Sequence, residues 1–298
     1  MFSSRTSSPA TSGPAAASVL RQVVLPERSR AGKRAGALIG AAVLAVIVAY
    51  AVFVPLIAGT DQKLTDFSSA RLPPSSGHLF GTDHAGRDLF VRLASGLRIS
   101  LLIAALCAVL AMVLGMLVGA ASATLGGRAD RSIMRCIDAV NAVPHLLLGV
   151  VIVAMFRGSV TAIVASIALT HWTQVARIVR AEVLSLRGLE YVEASYLLGR
   201  TRTQVLRRHF LPAALGQGTV ATVMLLPHAI WHESTLSFLG LGLSPDRASL
   251  GTLLQEAQTE VMLGGWWALA FPALLLVCTT LAIAACGNGL VSTTAGRS

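Results

Sequence analysis

Six long apolar stretches alternate with short polar segments along this chain of 298 residues. Each stretch can supply the roughly 20 residues that a helix needs to cross a bilayer core, although the third is marginal. The stretches lie at 35–60, 99–127, 139–156, 158–176, 209–245 and 261–296. This pattern predicts an all-α, polytopic membrane protein with six transmembrane helices. In the second stretch, Gly115 and Gly119 mark a face on which another helix could approach closely.

The polar segments divide the chain into five parts. We expect a disordered basic cytoplasmic tail at 1–34, a first transmembrane helix at 35–58 and an external loop at 59–96. A core of five further transmembrane helices at 97–290 and a tail at 291–298 complete the chain. The first tail is rich in Ser, Ala, Pro and Arg, a composition typical of disorder. The apolar stretch after it is longer than a cleavable signal core, so we expect it to remain as a helix.

Composition and charge agree with this topology. The chain is 54% hydrophobic and 13% charged, a balance typical of polytopic membrane proteins. Its net charge is +10, but most basic residues flank the apolar stretches, where positive charge sets orientation in the membrane. We therefore expect contacts with membrane lipid and none with nucleic acid. The count of Lys and Arg on the two sides predicts that both termini and the loop at 182–212 are cytoplasmic.

The loop at 182–212 begins with a short helical pattern. Leu189, Val192 and Tyr196 follow helical spacing, and Gly199 closes the pattern. A glycine just past a helix end commonly adopts positive φ, because it has no side chain to clash there. The pattern therefore predicts a helix that ends in a turn at Gly199.

A second helix is predicted directly after that turn. Thr201 stands three residues before Gln204, which is the capping-box arrangement in which each side chain satisfies an unpaired backbone donor. The helix therefore begins near Arg202. We expect the chain to turn at Leu211 and Pro212 into the next apolar stretch.

The same loop resembles the "EAA" loop of ABC-importer permeases, whose pattern is E-A-A, three residues, G, nine residues, I-x-L-P. The resemblance is carried by Glu193, Ala194, Ser195, Gly199, Leu211 and Pro212. Ser195 replaces the second Ala of the motif and His209 replaces its Ile. In that family the loop is the coupling element, and its helix sits in a groove of an ATP-binding subunit. The alternative is an ordinary basic cytoplasmic loop.

Two further stretches resemble the peptide-type branch of these permeases. FGTDHAGRDLFVRLASGLRISL at 80–101 is similar to the segment that precedes the second helix there, although alone it could be a polar turn with internal ion pairs. STLSFLGLGLSP at 234–245 is similar to the end of the fifth helix. Near the C-terminus, Asn288 stands where the family usually has the acid of G-D-G-L. Together these resemblances imply the type I ABC-importer permease fold.

The resemblance implies one transmembrane half of an importer for di- or oligopeptides, working by alternating access. It implies a bacterial cell-membrane location. The expected partners are a second permease subunit, two ATP-binding cassette subunits and an external substrate-binding protein. ATP and Mg would be bound by the cassette subunits, and we expect no cofactor on this chain. An importer of the same type for nickel or another small solute is an alternative.

Motifs for chemistry on the chain itself are weak. The sequence contains no phosphate-cradling GxxxxGK[ST], so we expect no ATP hydrolysis by this chain alone and no catalytic residue. His228, His232 and Glu233 could suggest an intramembrane metalloenzyme. In metalloproteases, however, the Glu lies between the two His, and here it does not, so we predict no metal site.

Glu233 is the only acid well inside a predicted span. A carboxylate that faced lipid would cost about 2.5 kcal/mol or more. We therefore expect Glu233 and His232 to face the bundle interior, as candidates for a translocation cavity. A secondary transporter would need inverted repeats and several such carboxylates, which disfavours that class. His145 and His171 are predicted to be interfacial polar residues near helix ends.

Overall fold

The computed structural model describes residues 30–58, 65–244 and 247–294. Residues 1–29, 59–64, 245–246 and 295–298, which include most of the predicted basic tail and parts of the external loop and C-terminal tail, lie outside the described residues. In the described ranges, regular secondary structure is helical apart from two isolated bridges. The helices are α1 (Arg30–Ala58), α2 (Leu89–Leu125), α3 (Gly127–Ala142), α4 (His145–Met155), α5 (Val160–Arg187), α6 (Glu190–Leu197), α7 (Arg202–Val205), α8 (Leu211–Phe238), α9 (Leu250–Met262) and α10 (Trp266–Thr294). The all-α prediction is confirmed.

Five helices are long and apolar enough to cross a membrane, and a sixth span is formed by a bent pair. Helices α3 and α4 meet at an angle of 76° and together pass the same test. The span predicted at 139–156 therefore begins earlier, at Gly127, and is broken between the two helices. Val143 is extended, with φ −84° and ψ 129°, because the residue before a proline is disfavoured in helical conformation and Pro144 follows it. The prediction of six transmembrane helices is confirmed with one of them broken.

The fifth span is longer than expected. We predicted that the chain turns at Leu211 and Pro212, but the helix continues from α7 through a π-helical turn at Leu206–Phe210 into α8. Pro212 lies in the first turn of α8, immediately after this turn. The result is one continuous helical span of 37 residues from Arg202 to Phe238.

Helix α2 is the centre of the bundle and packs along α5, α8 and α1. The predicted close approach at its two glycines is confirmed. A Cβ on Gly115 would lie 2.5 Å from the Cβ of Val175, and a Cβ on Gly119 would lie 2.4 Å from the carbonyl oxygen of Ala176. Larger side chains at these positions would force α2 and α5 apart.

A charged network ties the segment before α2 to α9. Arg92 donates hydrogen bonds to both Asp83 and Glu256, and Arg87 donates to Asp83 at 2.7 Å. Burial of Asp83 opposes its ionisation, but Arg92, two backbone N–H groups and Arg87 outweigh this effect and hold the pKa of its carboxyl below the usual value. The internal ion pairs considered as the alternative interpretation of 80–101 are therefore present, and the network reaches an element more than 160 residues away in sequence.

Candidate functional site

The candidate site has two parts, which lie at one end of the bundle and in its interior. The first part is the coupling segment, by which we mean residues 190–210. Its helix α6 is held to the bundle by Val192, which is buried among Val179, Val205 and Phe210. Because these residues belong to α5, α7 and the π turn, α6 packs against the ends of two long spans.

A tight turn separates α6 from α7. Gly199 has φ +78°, as predicted, and the N–H of Arg200 donates to the carbonyl of Ser195 at 3.2 Å, which closes the end of the helix. Thr201 and Gln204 form the predicted capping box, with bonds of 2.9 and 3.4 Å. The direction of α6 relative to α7 is therefore set by local backbone geometry.

The two positions that depart from the family pattern contact each other. The Ser195 hydroxyl lies 3.0 Å from Nε2 of His209 and donates to the Tyr191 carbonyl at 2.9 Å. Nε2 of His209 is therefore the hydrogen donor to Ser195, since the hydroxyl hydrogen is committed to the carbonyl. A polar pair thus links α6 to the π turn at the place where the family has two apolar residues.

The remaining motif residues face outward. Glu193, Ala194 and Pro212 are exposed, and Leu211 is half-buried. At the tip of the segment, Leu197 and Leu198 are 89% and 81% exposed, side by side. Sequence spacing did not single out these two leucines, although an apolar pair directly before the predicted turn was a usable signal.

In the interior, Glu233 is fully buried and held by serines. Its carboxylate accepts hydrogen bonds from Ser100 at 2.8 Å and from Ser237 at 2.9 Å. The Ser100 oxygen in turn accepts the N–H of Leu250, the first residue of α9, at 3.1 Å. Glu233 therefore joins α2, α8 and α9, and the predicted position in the bundle interior is confirmed.

The suggested grouping of His228, His232 and Glu233 is not a metal cluster in the described part of the chain. The group of three whose ligand atoms lie within 4.8 Å of one another is instead Asp83, His84 and Glu256. There the Arg92 guanidinium already bonds both carboxylates, which leaves less negative charge for a cation.

Three of the seven histidines have their rings in contact inside the bundle. The His171 ring lies 5.6 Å from that of His145 and 4.8 Å from that of His232. His171 is buried near the middle of α5, so the prediction that it lies near a helix end is wrong. His145 does begin a helix, but that end is the break between α3 and α4, beside His171.

A cavity of about 300 Å³ lies next to these rings, between α5, α8 and α10. Its polar lining comes from His171 and Gln174 on one side and from Gln217 and His228 on the other, with the Met224 thioether between them. Sequence analysis did not group these side chains, because they come from distant stretches. The His228 to His232 spacing of four residues was the only local signal.

A bent third span, a 37-residue fifth span and a short, partly exposed helix between the fourth and fifth spans fit the membrane-spanning subunit of an ABC-type transporter. Residues 111–292 match the family described as the binding-protein-dependent transport system inner membrane component, and the chain belongs to this family. It is a multi-pass membrane protein with a type I importer permease fold.

Similarity to bacterial peptide permeases extends over most of the chain. The oligopeptide transport system permease protein OppC of Bacillus subtilis is 37% identical over 254 residues, which are 85% of this chain and 83% of the relative. The dipeptide transport system permease protein DppC of the same organism is 34% identical over 85% of this chain and 79% of its own length. OppC of Escherichia coli K12 is 36% identical, with 83% and 82% covered.

A solved structure shows the same fold. It is titled "Crystal structure of an amino acid ABC transporter with histidines" and matches with a TM-score of 0.50 at 20% identity. The match covers 68% of this chain and 92% of that chain. At this identity the likeness bears on the fold alone.

Proposed function

We propose that this chain is one transmembrane half of an ATP-driven importer of di- or oligopeptides in a bacterial cell membrane. The peptide cargo is supported by the relatives, which are oligopeptide and dipeptide permeases. The partners are a second permease subunit, two ATP-binding cassette subunits and an external binding protein. ATP and Mg are bound and used by the cassette subunits, and this chain itself is not an enzyme.

The observation that carries the coupling role is the exposed apolar tip of α6. Single exposed apolar residues are common on protein surfaces and need no explanation. An adjacent pair of exposed leucines at a tight turn is better explained by burial in a groove of a partner protein. Leu197 and Leu198 provide that pair, and Glu193 and Ala194 lie on the same exposed helix. The groove belongs to an ATP-binding cassette subunit, so Glu193, Ala194, Ser195, Gly199, Leu211 and Pro212 form or support the docking element.

The continuous fifth span connects the docking element at one end of the bundle to the membrane interior. Nucleotide-driven closure of the cassette subunits can shift the permease only through contacts that differ between its inward-open and outward-open states. A helix of 37 residues extends about 55 Å, which exceeds the bilayer core. A displacement of the coupling segment is therefore expected to be transmitted along α8 to the cavity wall.

The orientation of the chain in the membrane follows from the assignment of residues 190–210 as the docking element. The coupling segment and both termini lie in the cytosol, and residues 61–92 face the binding protein outside. Positive charge supports this orientation, since α3 and the coupling segment carry many of the chain's arginines.

Glu233 has a structural role in this proposal. Its carboxylate is fully buried and its partners are serines of its own and a neighbouring helix, so it holds α2 and α9 against α8. His232 is half-buried and its ring packs against that of His171, which lines the cavity.

Leu197→Asp tests the docking role. Removing a leucine from a buried contact costs about 1.5–3 kcal/mol, so the affinity of the cassette subunits for the permease should fall at least about tenfold, with a matching loss of peptide uptake. Met262 is equally exposed, at 89%, but lies at the opposite end of the bundle, so Met262→Asp is the matched control. Equal cassette affinity in the two variants would contradict the proposal.

A further inference from the structure

One arginine on the surface of α2 has no acidic partner in the described part of the chain. Arg98 is exposed, and no hydrogen bond or ion pair of the described residues involves its side chain. Arg92, less than two turns earlier, is instead bonded to Asp83 and Glu256, so those carboxylates are already in use. A charged side chain on a membrane-spanning helix is costly unless an anionic group or the headgroup region receives it. Arg98 therefore calls for an anion from outside the described residues.

The position of Arg98 along α2 corresponds to the level of phospholipid headgroups. Arg98 is the last charged residue before the apolar stretch at 99–127. At about 1.5 Å per residue, the part of α2 from Arg98 to Leu125 extends about 40 Å, which matches a bilayer core together with its headgroup regions. Near the far end of α2, Ala123 packs in one cluster with Val192 of the coupling segment. Arg98 therefore belongs to the membrane face opposite the coupling segment.

Arg98 borders an apolar groove of about 520 Å³ between α1 and α2. Every other side chain that lines the groove is apolar. On α2 these are Leu101, Leu102 and Ala105, which follow Arg98 at helical spacing on the same face. The groove is open to its surroundings, because Leu102 and Val48, on its two walls, are exposed. It can therefore receive an elongated apolar group from the membrane.

The groove extends from Arg98 towards the bilayer interior. Ser100 donates a hydrogen bond to Glu233, which fixes the part of α8 that lies level with this turn of α2. Ile230 lines the groove one turn before Glu233, on the side towards the coupling segment. Ile230 therefore lies deeper in the membrane than Arg98. The groove thus has its charge at headgroup level and its apolar lining below.

A phospholipid has this distribution of charge and apolar surface. A guanidinium forms paired hydrogen bonds with phosphate oxygens, and an acyl chain fits an open apolar groove. No acidic side chain lines the groove to receive the ammonium of a zwitterionic headgroup, so a lipid with net negative charge is favoured. We propose that one anionic phospholipid binds here, with its phosphate on Arg98 and an acyl chain between α1 and α2. This lipid site is independent of the cargo and of the cassette contacts.

Dioleoylphosphatidylglycerol is a suitable probe, and dioleoylphosphatidylcholine, which has the same acyl chains but no net charge, is the reference. The full-length chain is purified in detergent, stripped of bound lipid and titrated with each lipid. Native mass spectrometry counts the bound lipids and gives the affinity for each. Variants are compared at the same monodisperse elution as the wild type.

We expect the first lipid to bind at least about fivefold more tightly when it is phosphatidylglycerol. Arg98→Gln should abolish this preference, whereas Arg98→Lys keeps the charge and should retain most of it. Ala105 is exposed in the groove, so Ala105→Trp should fill the groove and weaken phosphatidylglycerol binding although Arg98 is intact. Arg157 is exposed on the turn before α5, at the same end of the bundle, so Arg157→Gln is the matched control and should resemble the wild type.

Equal affinity for the two lipids in the wild-type chain overturns the proposal, and so does an unchanged preference in Arg98→Gln. Unchanged binding in Ala105→Trp places the lipid outside the groove and overturns it as well, and this arm does not depend on how Arg98→Gln folds. The titration is repeated on the assembled transporter, because a helix of the second permease subunit is the competing occupant. Loss of the bound lipid on assembly would assign the groove to the contact between the two permease subunits instead.

Discussion

Gly199→Val isolates the turn geometry of the coupling segment from all side-chain effects. Gly199 has φ +78°, and a Cβ built there would meet nothing within 4 Å. The substitution therefore introduces backbone strain without a steric clash. Gly188, at the other end of α6, also has open space around it but has φ −89°, which other residues can adopt. Gly188→Val is thus the matched control.

The size of the expected effect follows from the backbone conformation at Gly199 alone. Holding a non-glycine residue at positive φ costs about 1–3 kcal/mol, and a β-branched residue belongs at the upper end. The free permease can relieve this strain by relaxing the turn, which moves Leu197 and Leu198 relative to α7. Docking must then restore the turn, so the cost appears as weaker binding of the cassette subunits by about 5- to 150-fold.

The assay is the affinity of purified cassette subunits for the permease, followed by peptide uptake at matched membrane levels. We expect Gly199→Val to insert normally, to bind the cassette subunits more weakly and to transport less. Gly188→Val should resemble the wild type. The reasoning is refuted if the two variants bind equally well, since they differ in φ and not in available space.

Three further predictions test other contacts. Ser195→Ala and His209→Ile remove the same hydrogen bond, so their effects on the free energy of cassette binding should fall short of additivity by about 0.5–1.5 kcal/mol in the double variant. Strict additivity would show that the two side chains are not coupled. Glu233→Gln keeps the shape of the serine-bound group, so uptake of free and N-acetylated peptides should change equally. Selective loss of the free peptide would instead assign the carboxylate to cargo recognition. A cysteine at Arg202 in a cysteine-free background should resist an impermeant reagent applied to intact cells, and labelling from outside would reverse the proposed orientation.

Local physics accounts for what could be predicted from the sequence. The apolar stretches predicted the helices, because a helix pairs its own backbone groups wherever it lies. The turn at Gly199 and the capping box at Thr201 were also predictable, since each depends on residues within one turn of the chain. The family pattern was recognisable for the same reason, because its spacing is contained in 20 consecutive residues.

Contacts between distant stretches were decided only by the tertiary structure. Ser100 and Glu233 are 133 residues apart and meet only because α2 packs against α8. His171 joins His145 and His232 for the same reason, and its hydrogen position is set by the carbonyl one turn before it. The continuation of the helix past Pro212 also escaped prediction, because a proline ends some helices and begins others. Which of these occurs depends on whether the preceding turn is packed, and here the burial of Val205 and Phe210 against α5 and α6 keeps it helical.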